Sequence, residues 1–504
     1  MLIDFAVENF KSFDSLARLN MVATREADHR DHCLSLVGIN GKTRVNKFAA
    51  LFGPNAGGKS NLLKALLTMR KMVLECGIRQ VGSEEKSDTL LPYSPFSLAK
   101  KSCQAPTLFQ AIYESGGRCF RYGFTYTAEK IQSEWLYANF GRDEELVFER
   151  EELVVTEGKQ GAGFATESEK FLNCKSLVLS ICNQAKHELA QLASSFWIAI
   201  SFGSELRPPS LGAWLNGSPF LPAIAAMLQF ADTGIADIRA EEQEGPDYIP
   251  PMQLKEGDDR FAEIISLTGK LYEAIRQQAP KSPILLFVHS AQDANMTPEE
   301  CQLHQKDESQ GTLRFILLLY ILCRAMTKNA LVVLDEIENG LHPLLAKGLL
   351  EFVTQVQGSS TQVLFTTHCT PLFDSEVLRR DELWLVEKND GGCSALQCAA
   401  NYEKDARPDA NLMRRFMAGR FGGLPLVRKK ILEEGSALAS AIIAQVREQQ
   451  RNAELEQKIN ADQGIIRTKQ QAEESAQIKS NPQTSVKNNS RNKSNQSRGK
   501  AHGN

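Results

Sequence analysis

Nothing in this 504-residue sequence is long and apolar enough to cross a bilayer. Its most apolar stretch, Phe315 to Cys323, falls far short of the roughly 20 residues a spanning helix needs. That run is expected in a buried helix, and the chain is expected in the cytoplasm with no membrane partner. Met1 to Phe5 lacks the basic segment and apolar run of a secretory leader and reads as a strand. A disulfide or zinc framework is also missing: the eleven cysteines show no paired spacing, and Cys393 and Cys398 lack flanking ligands. Reduced thiols are expected. Charge of one sign is not in excess either, since the formal net charge is -3, so no global attraction to nucleic acid or acidic lipid follows. No internal repeat is found.

What is present is the composition of an ordered globular body, 42% hydrophobic and 24% charged, in a chain long enough for two or three domains. Residues 1–150 mix short strands with one helix. Leu108 to Tyr113 and the alternating Phe120 to Tyr126, separated by Ser115-Gly116-Gly117, read as an antiparallel hairpin. Residues 151–282 read as a mainly helical insertion, broken at Pro208-Pro209 and around Gly245-Pro246. Within 283–447, the compact apolar runs Pro283 to His289 and Leu331 to Leu334 are expected in a buried parallel sheet. Residues 448–504 turn to Gln, Asn, Ser and Lys with few large apolar residues, a composition that stays disordered. From Lys479 onward this tail carries six basic residues and no acid. It is a solvated segment or a weak tether to nucleic acid.

Gly53-Pro54-Asn55-Ala56-Gly57-Gly58-Lys59-Ser60 fits a phosphate-binding loop at every fixed position. An apolar run, Phe48 to Phe52, precedes it and an amphipathic helix with Leu62, Leu63, Leu66 and Met69 follows. The chemistry requires that order: glycines let the backbone wrap phosphates while a helix N-terminus points N–H groups at them. Lys59 is expected on the β and γ phosphates of ATP and Ser60 on Mg²⁺. Leu331 to Leu334 then ends in Asp335-Glu336, at the strand end where open α/β sheets bind ligands. Asp335 is the expected Mg²⁺ ligand and Glu336 the group that polarises the attacking water. A second apolar run, Gln362 to Thr367, ends in His368, placed to hydrogen-bond the γ-phosphate and the attacking water. Between these, Glu338 and His342 read as part of a dimer contact or as ordinary surface residues.

Ser309 and Gly311, in Glu308-Ser309-Gln310-Gly311-Thr312, open the helix that contains Phe315 to Cys323 and form a second anion-binding helix start. Its target is the γ-phosphate bound by a partner chain. In the order phosphate loop, Ser-x-Gly, Asp-Glu, His, the set resembles the ATPase heads of ABC-class proteins that work as nucleotide-sandwiched dimers. Within that class the chain is similar to the AAA-type ATPases of bacterial anti-phage systems, the RloA-like group. Phe10 to Phe13, Gly53 to Ser60, Glu308 to Thr312, Leu334 to Pro343, Phe365 to His368, Arg380 to Lys388 and Gly419 to Pro425 carry the resemblance.

The resemblance implies an α/β fold, an ABC-type P-loop head with a mainly parallel core sheet, an antiparallel β subdomain and a helical insertion. It implies a homodimer or higher homo-oligomer that hydrolyses ATP and controls a toxic effector, often a nuclease encoded nearby. Tyr93 to Phe96 offers no glutamine where a transporter head carries its glutamine loop, which argues against transporter coupling. No Asp-x-Asp pair follows Pro425, so any cutting is expected from another protein. Two other readings are a DNA-binding repair or chromosome-maintenance clamp, and a scaffold that binds ATP with little turnover.

Overall fold

The strand Phe48–Phe52 is buried on both faces, and this explains its unbroken apolar run. Ala49 and Leu51 enter one core cluster with Leu62, Leu66 and Met69; Phe48, Ala50 and Phe52 enter another with Phe315, Leu319 and Leu349. Helix Lys59–Glu75 therefore covers one face, and helices Gln310–Met326 and Pro343–Gln355 cover the other. In this computed structural model the described residues are 1–26, 28–36, 43–76, 90–139, 143–205, 211–231, 233–243, 282–290, 297, 301–402, 411–422 and 435–454.

Phe48–Phe52 lies inside a six-stranded sheet ordered Ser201–Phe202, Leu331–Leu334, Gln362–Thr366, Phe48–Phe52, Leu383–Lys388, Ser394–Cys398. The first five strands pair in parallel and the last is antiparallel. A seven-stranded sheet is antiparallel throughout. It contains the expected hairpin, Thr107–Ser115 with Arg118–Tyr126, turning on Gly116 (φ 57°) and Gly117 (φ 79°). Two consecutive positive φ values make the turn that matches strand twist, and glycine adopts them at little cost. The fold is mixed α/β, with parallel pairing confined to the six-stranded sheet and most described strands paired antiparallel.

Pro283 to His289 departs from its expected place in the parallel sheet. Strand Ser282–His289 is the centre of a separate antiparallel sheet, between Ile235–Gln243 and Gln302–His304. Leu285 and Phe287 are buried there with Leu211, Leu215 and Leu228, so the run is apolar because helices cover it. An apolar run records burial and not the direction of pairing.

Between residues 151 and 282 lie the helices Phe164–Glu169, Val178–Gln184, Glu188–Ala199, Leu211–Leu215 and Leu221–Phe230, together with strands. Residues 244–281, including Gly245-Pro246, and Pro208-Pro209 lie outside the described residues. Part of this stretch is built into the body: Ser201–Phe202 joins the core sheet, and Phe196 and Trp197 pack on Tyr113 at 4.6 and 5.4 Å.

A buried carboxylate holds helix Val178–Gln184. Glu134 accepts the N–H groups of Val178 (2.8 Å) and Leu179 (3.0 Å) and the Tyr122 hydroxyl (2.9 Å), with Arg150 3.6 Å away. Burial pushes its pKa up, while Arg150 and these donors oppose the shift. Glu134→Gln keeps the shape but gives up charge-assisted bonds worth ~1.5–3 kcal/mol each. A fall in urea midpoint equivalent to about 2 kcal/mol is expected, and an unchanged midpoint would show that the carboxylate does not hold the helix.

The chain divides into two compact units, 1–425 and 426–504. In the second, residues 435–454 form an exposed helix. It runs through 448–454, expected to be disordered, because Gln, Arg, Glu and Ala there sustain a helix by propensity. The rest of the basic tail lies outside the described residues. No helix among the described residues is long and apolar enough to cross a membrane.

Candidate active site

Gly53 follows the buried strand at φ 152°, and a Cβ there would collide with the Val386 carbonyl. Gly58, at φ 118°, starts helix Lys59–Glu75; a Cβ on it would strike the hydroxyls of Ser394 and Ser12. No side chain caps this helix and no acid lies in its first turn, so its leading N–H groups and partial positive charge face the loop. Asn55 and Ala56 (φ 60°) form the exposed tip. Lys59 is buried, with its ammonium donating to the carbonyls of Gly53 (2.8 Å) and Pro54 (3.1 Å). Pro54 O also accepts from Gly57 N at 3.0 Å. Burial lowers the Lys59 pKa, and the carboxylates of Asp335, Glu336 and Glu338 oppose that shift.

Leu334 pairs with Phe365, which sets Asp335 beside Thr366. Asp335 Oδ1 accepts from the hydroxyls of Ser60 (2.9 Å) and Thr366 (2.6 Å). Thr366 Oγ1 in turn accepts the Glu336 N–H at 2.7 Å, holding that residue at φ 51°. Two hard oxygen donors, on Ser60 and Asp335, thus meet beside a phosphate-type loop, which suits Mg²⁺. His368 is exposed, its N–H bonded to Glu338 Oε1 at 2.5 Å. Glu338 is thereby drawn inward, and His342 caps helix Pro343–Gln355 by accepting from Leu344 N at 3.3 Å.

Ser309 caps helix Gln310–Met326 through Thr312 N at 3.0 Å. Gly311 abuts Gly340, whose carbonyl would lie 2.6 Å from any added Cβ. The helix start is therefore brought against the turn after Asp335-Glu336, while direct hydrogen bonds gather Ser60, Asp335 and Thr366. His289 Nε2 meets Glu308 Oε1 at 2.5 Å and ties the three-stranded sheet to the same helix start. One turn into this helix, Arg314 has a buried Nε without a hydrogen-bond partner; burial lowers its pKa and Glu336 offsets this.

With that geometry in view, a family model described as "AAA domain, putative AbiEii toxin, Type IV TA system" matches residues 48–154 and 236–374. The matched residues include the glycine-rich loop, Ser309, Asp335 and His368. Solved structures similar to the chain include the SmcHead bound to the C-winged helix domain of ScpA, 12% identical at a TM-score of 0.40, covering 80% of this chain and 99% of that one. The SMC head domain from Thermotoga maritima is 15% identical at 0.35, covering 79% and 98%. No curated protein matches.

The matched AAA segments omit residues whose roles the contacts explain. Ser394 Oγ donates to Gly57 O (2.6 Å), Ser394 N donates to Ser12 O (2.7 Å), and Asn61 Nδ2 donates to Ser12 Oγ (2.9 Å). Phe10 to Phe13 thus braces the phosphate loop from outside. Arg379, Asp381 and Glu382 are buried at the far end of the core sheet, and Phe421 packs on Phe373 at 5.3 Å.

Thr366 was the least visible member of this site, because only the register of two distant strands sets it against Asp335. Thr366→Val should leave the Glu336 N–H without its acceptor, costing about 1–3 kcal/mol. Weaker Mg²⁺ dependence of nucleotide binding is expected, rescued by Thr366→Ser; binding as in the wild type in the Val variant would remove this positioning role.

Proposed function

We propose that the chain is an ATP-hydrolysing molecular switch. The meeting of Ser60, Asp335 and Thr366 at the carboxyl end of the core sheet, beside buried Lys59, carries this reading. Loop N–H groups and Lys59 hold the phosphates, with Gly53, Gly57 and Gly58 allowing close backbone approach. Ser60 and Asp335 hold Mg²⁺. When bound, that ion neutralises the charge that develops on the phosphate oxygens. Glu336 orients a water and accepts its proton, and His368 donates to the γ-phosphate. Ser309 and Gly311 serve the nucleotide of a second copy, so two chains close on two nucleotides.

The biological setting we propose is cytoplasmic anti-phage defence, in which the ATPase governs a separately encoded effector such as a nuclease and the segment between the two halves of the head docks the partner. The motif resemblance to the RloA-like group and the toxin wording of the family description support it. The test combines two variants. With ATP, Glu336→Gln should accumulate as a dimer in sedimentation, and adding Ser309→Arg should return it to monomer. A nucleotide-independent mass would refute the sandwich, and salt-sensitive DNA binding without binding of a neighbouring gene product would favour a DNA clamp.

A further inference from the structure

We propose that His29, Asp31 and His32 form a divalent transition-metal site of the zinc class, structural in role and separate from the nucleotide site. One ligand atom from each residue lies within 4.8 Å of the others. His32 is buried, His29 half-buried and Asp31 exposed, so the cluster opens to solvent on one side.

Hydrogen bonding assigns the ring nitrogens. His29 Nε2 lies 2.8 Å from the Ser375 carbonyl, which can only accept, so the proton is on Nε2 and Nδ1 keeps its lone pair. His32 Nδ1 lies 2.9 Å from Glu382 Oε2. Glu382 already accepts the N–H groups of Arg379 (2.9 Å) and Phe48 (3.3 Å), so it acts on His32 as an acceptor and leaves Nε2 bare. A carboxylate or carbonyl behind each imidazole is the arrangement that orients metal-ligating histidines and raises their basicity.

The loop is also held in advance. Arg379 donates to Asp28 O (2.6 Å) and Thr24 O (3.2 Å), Thr24 N donates to Asp381 (2.6 Å), and His29 is kept at φ 47°. Two imidazoles and a carboxylate suit zinc, with water as fourth ligand at bonds of about 2.0–2.2 Å. Such bonds set ligands roughly 3.5 Å apart, so ligand atoms at the 4.8 Å limit would draw in by about 1 Å on binding. Lys47, buried nearby and attracted to Asp31, competes with the metal for that carboxylate.

Location defines the role. The His32 ring is 5.0 Å from the ring of Phe48, at the start of the strand that ends in the phosphate loop. Five residues at about 3.3 Å each put the site some 15 Å from the phosphate loop. A metal here would lock the 29–32 turn, whose imidazoles are hydrogen-bonded to Ser375 and Glu382 in the segment that follows His368.

The experiment uses the full-length chain, stripped with chelator and titrated with Zn²⁺ by calorimetry and Co²⁺ by visible absorption. One equivalent should bind and raise the melting temperature. His29→Ala and Asp31→Ala should each weaken binding at least about 10–100-fold, the loss typical of even an outer-sphere partner, with ATP binding unchanged. Absence of saturable one-equivalent binding overturns the site. So does unchanged binding in both variants, which would put the ion elsewhere, or a thiolate charge-transfer band with Co²⁺, which would put it on the cysteines.

Discussion

Glu336→Gln is expected to slow steady-state ATP turnover by about 10²–10⁴-fold, the usual worth of a positioned general base. Nucleotide affinity should stay close to wild type. The exposed side chain sits at the end of a buried strand, its backbone pinned by Thr366, so glutamine preserves shape and position. What glutamine cannot do is accept a proton from water. A fall in kcat with KM held is the signature of an interaction made only in the transition state. Arg314 keeps its charge without the neighbouring carboxylate, because a guanidinium does not deprotonate in proteins. Turnover at the wild-type rate would show that Glu336 is not the base and would favour a scaffold that hardly hydrolyses ATP.

Loss at Lys59 should be felt in binding as well as in rate. Its ammonium now donates to two loop carbonyls, Gly53 O and Pro54 O, and is the buried cation facing Asp335, Glu336 and Glu338. On the proposed reading these two donors turn to phosphate oxygens when nucleotide binds, and Lys59→Ala would forfeit charge-assisted bonds worth about 1.5–3 kcal/mol each. At 1.4 kcal/mol per factor of ten, affinity for a fluorescent ATP analogue should fall about 10²–10⁴-fold. Lys59→Arg should not rescue it, because a planar fork cannot replace a compact point charge in this loop. A melting curve separates this loss from unfolding, and wild-type affinity in a folded Lys59→Ala protein would remove the phosphate-loop assignment.

Some of this was legible because its physics is local. A phosphate loop needs glycines at particular φ values, a strand before it and a helix after it, and all three requirements are written within residues 48–75. The same holds for the Gly116-Gly117 hairpin and for Ser309 as a helix cap. Pro283 to His289 was misjudged because burial leaves the same apolar run in a parallel or an antiparallel strand. Thr366, Ser12 and Ser394 gave no signal of their own: serine and threonine are common at strand and turn ends, and theirs matter only through residues far away in sequence.

By itself the sequence determined which groups are available for phosphate and metal chemistry, and which short segments are strand, turn or helix, since those depend on backbone preference and neighbouring residues. Tertiary structure alone decided that Asp335 meets Ser60 and Thr366, that Glu382 stands behind His32, and that Ser394 closes on Gly57. These contacts join residues dozens to hundreds of positions apart, and their geometry comes from strand order and register, which no local preference encodes.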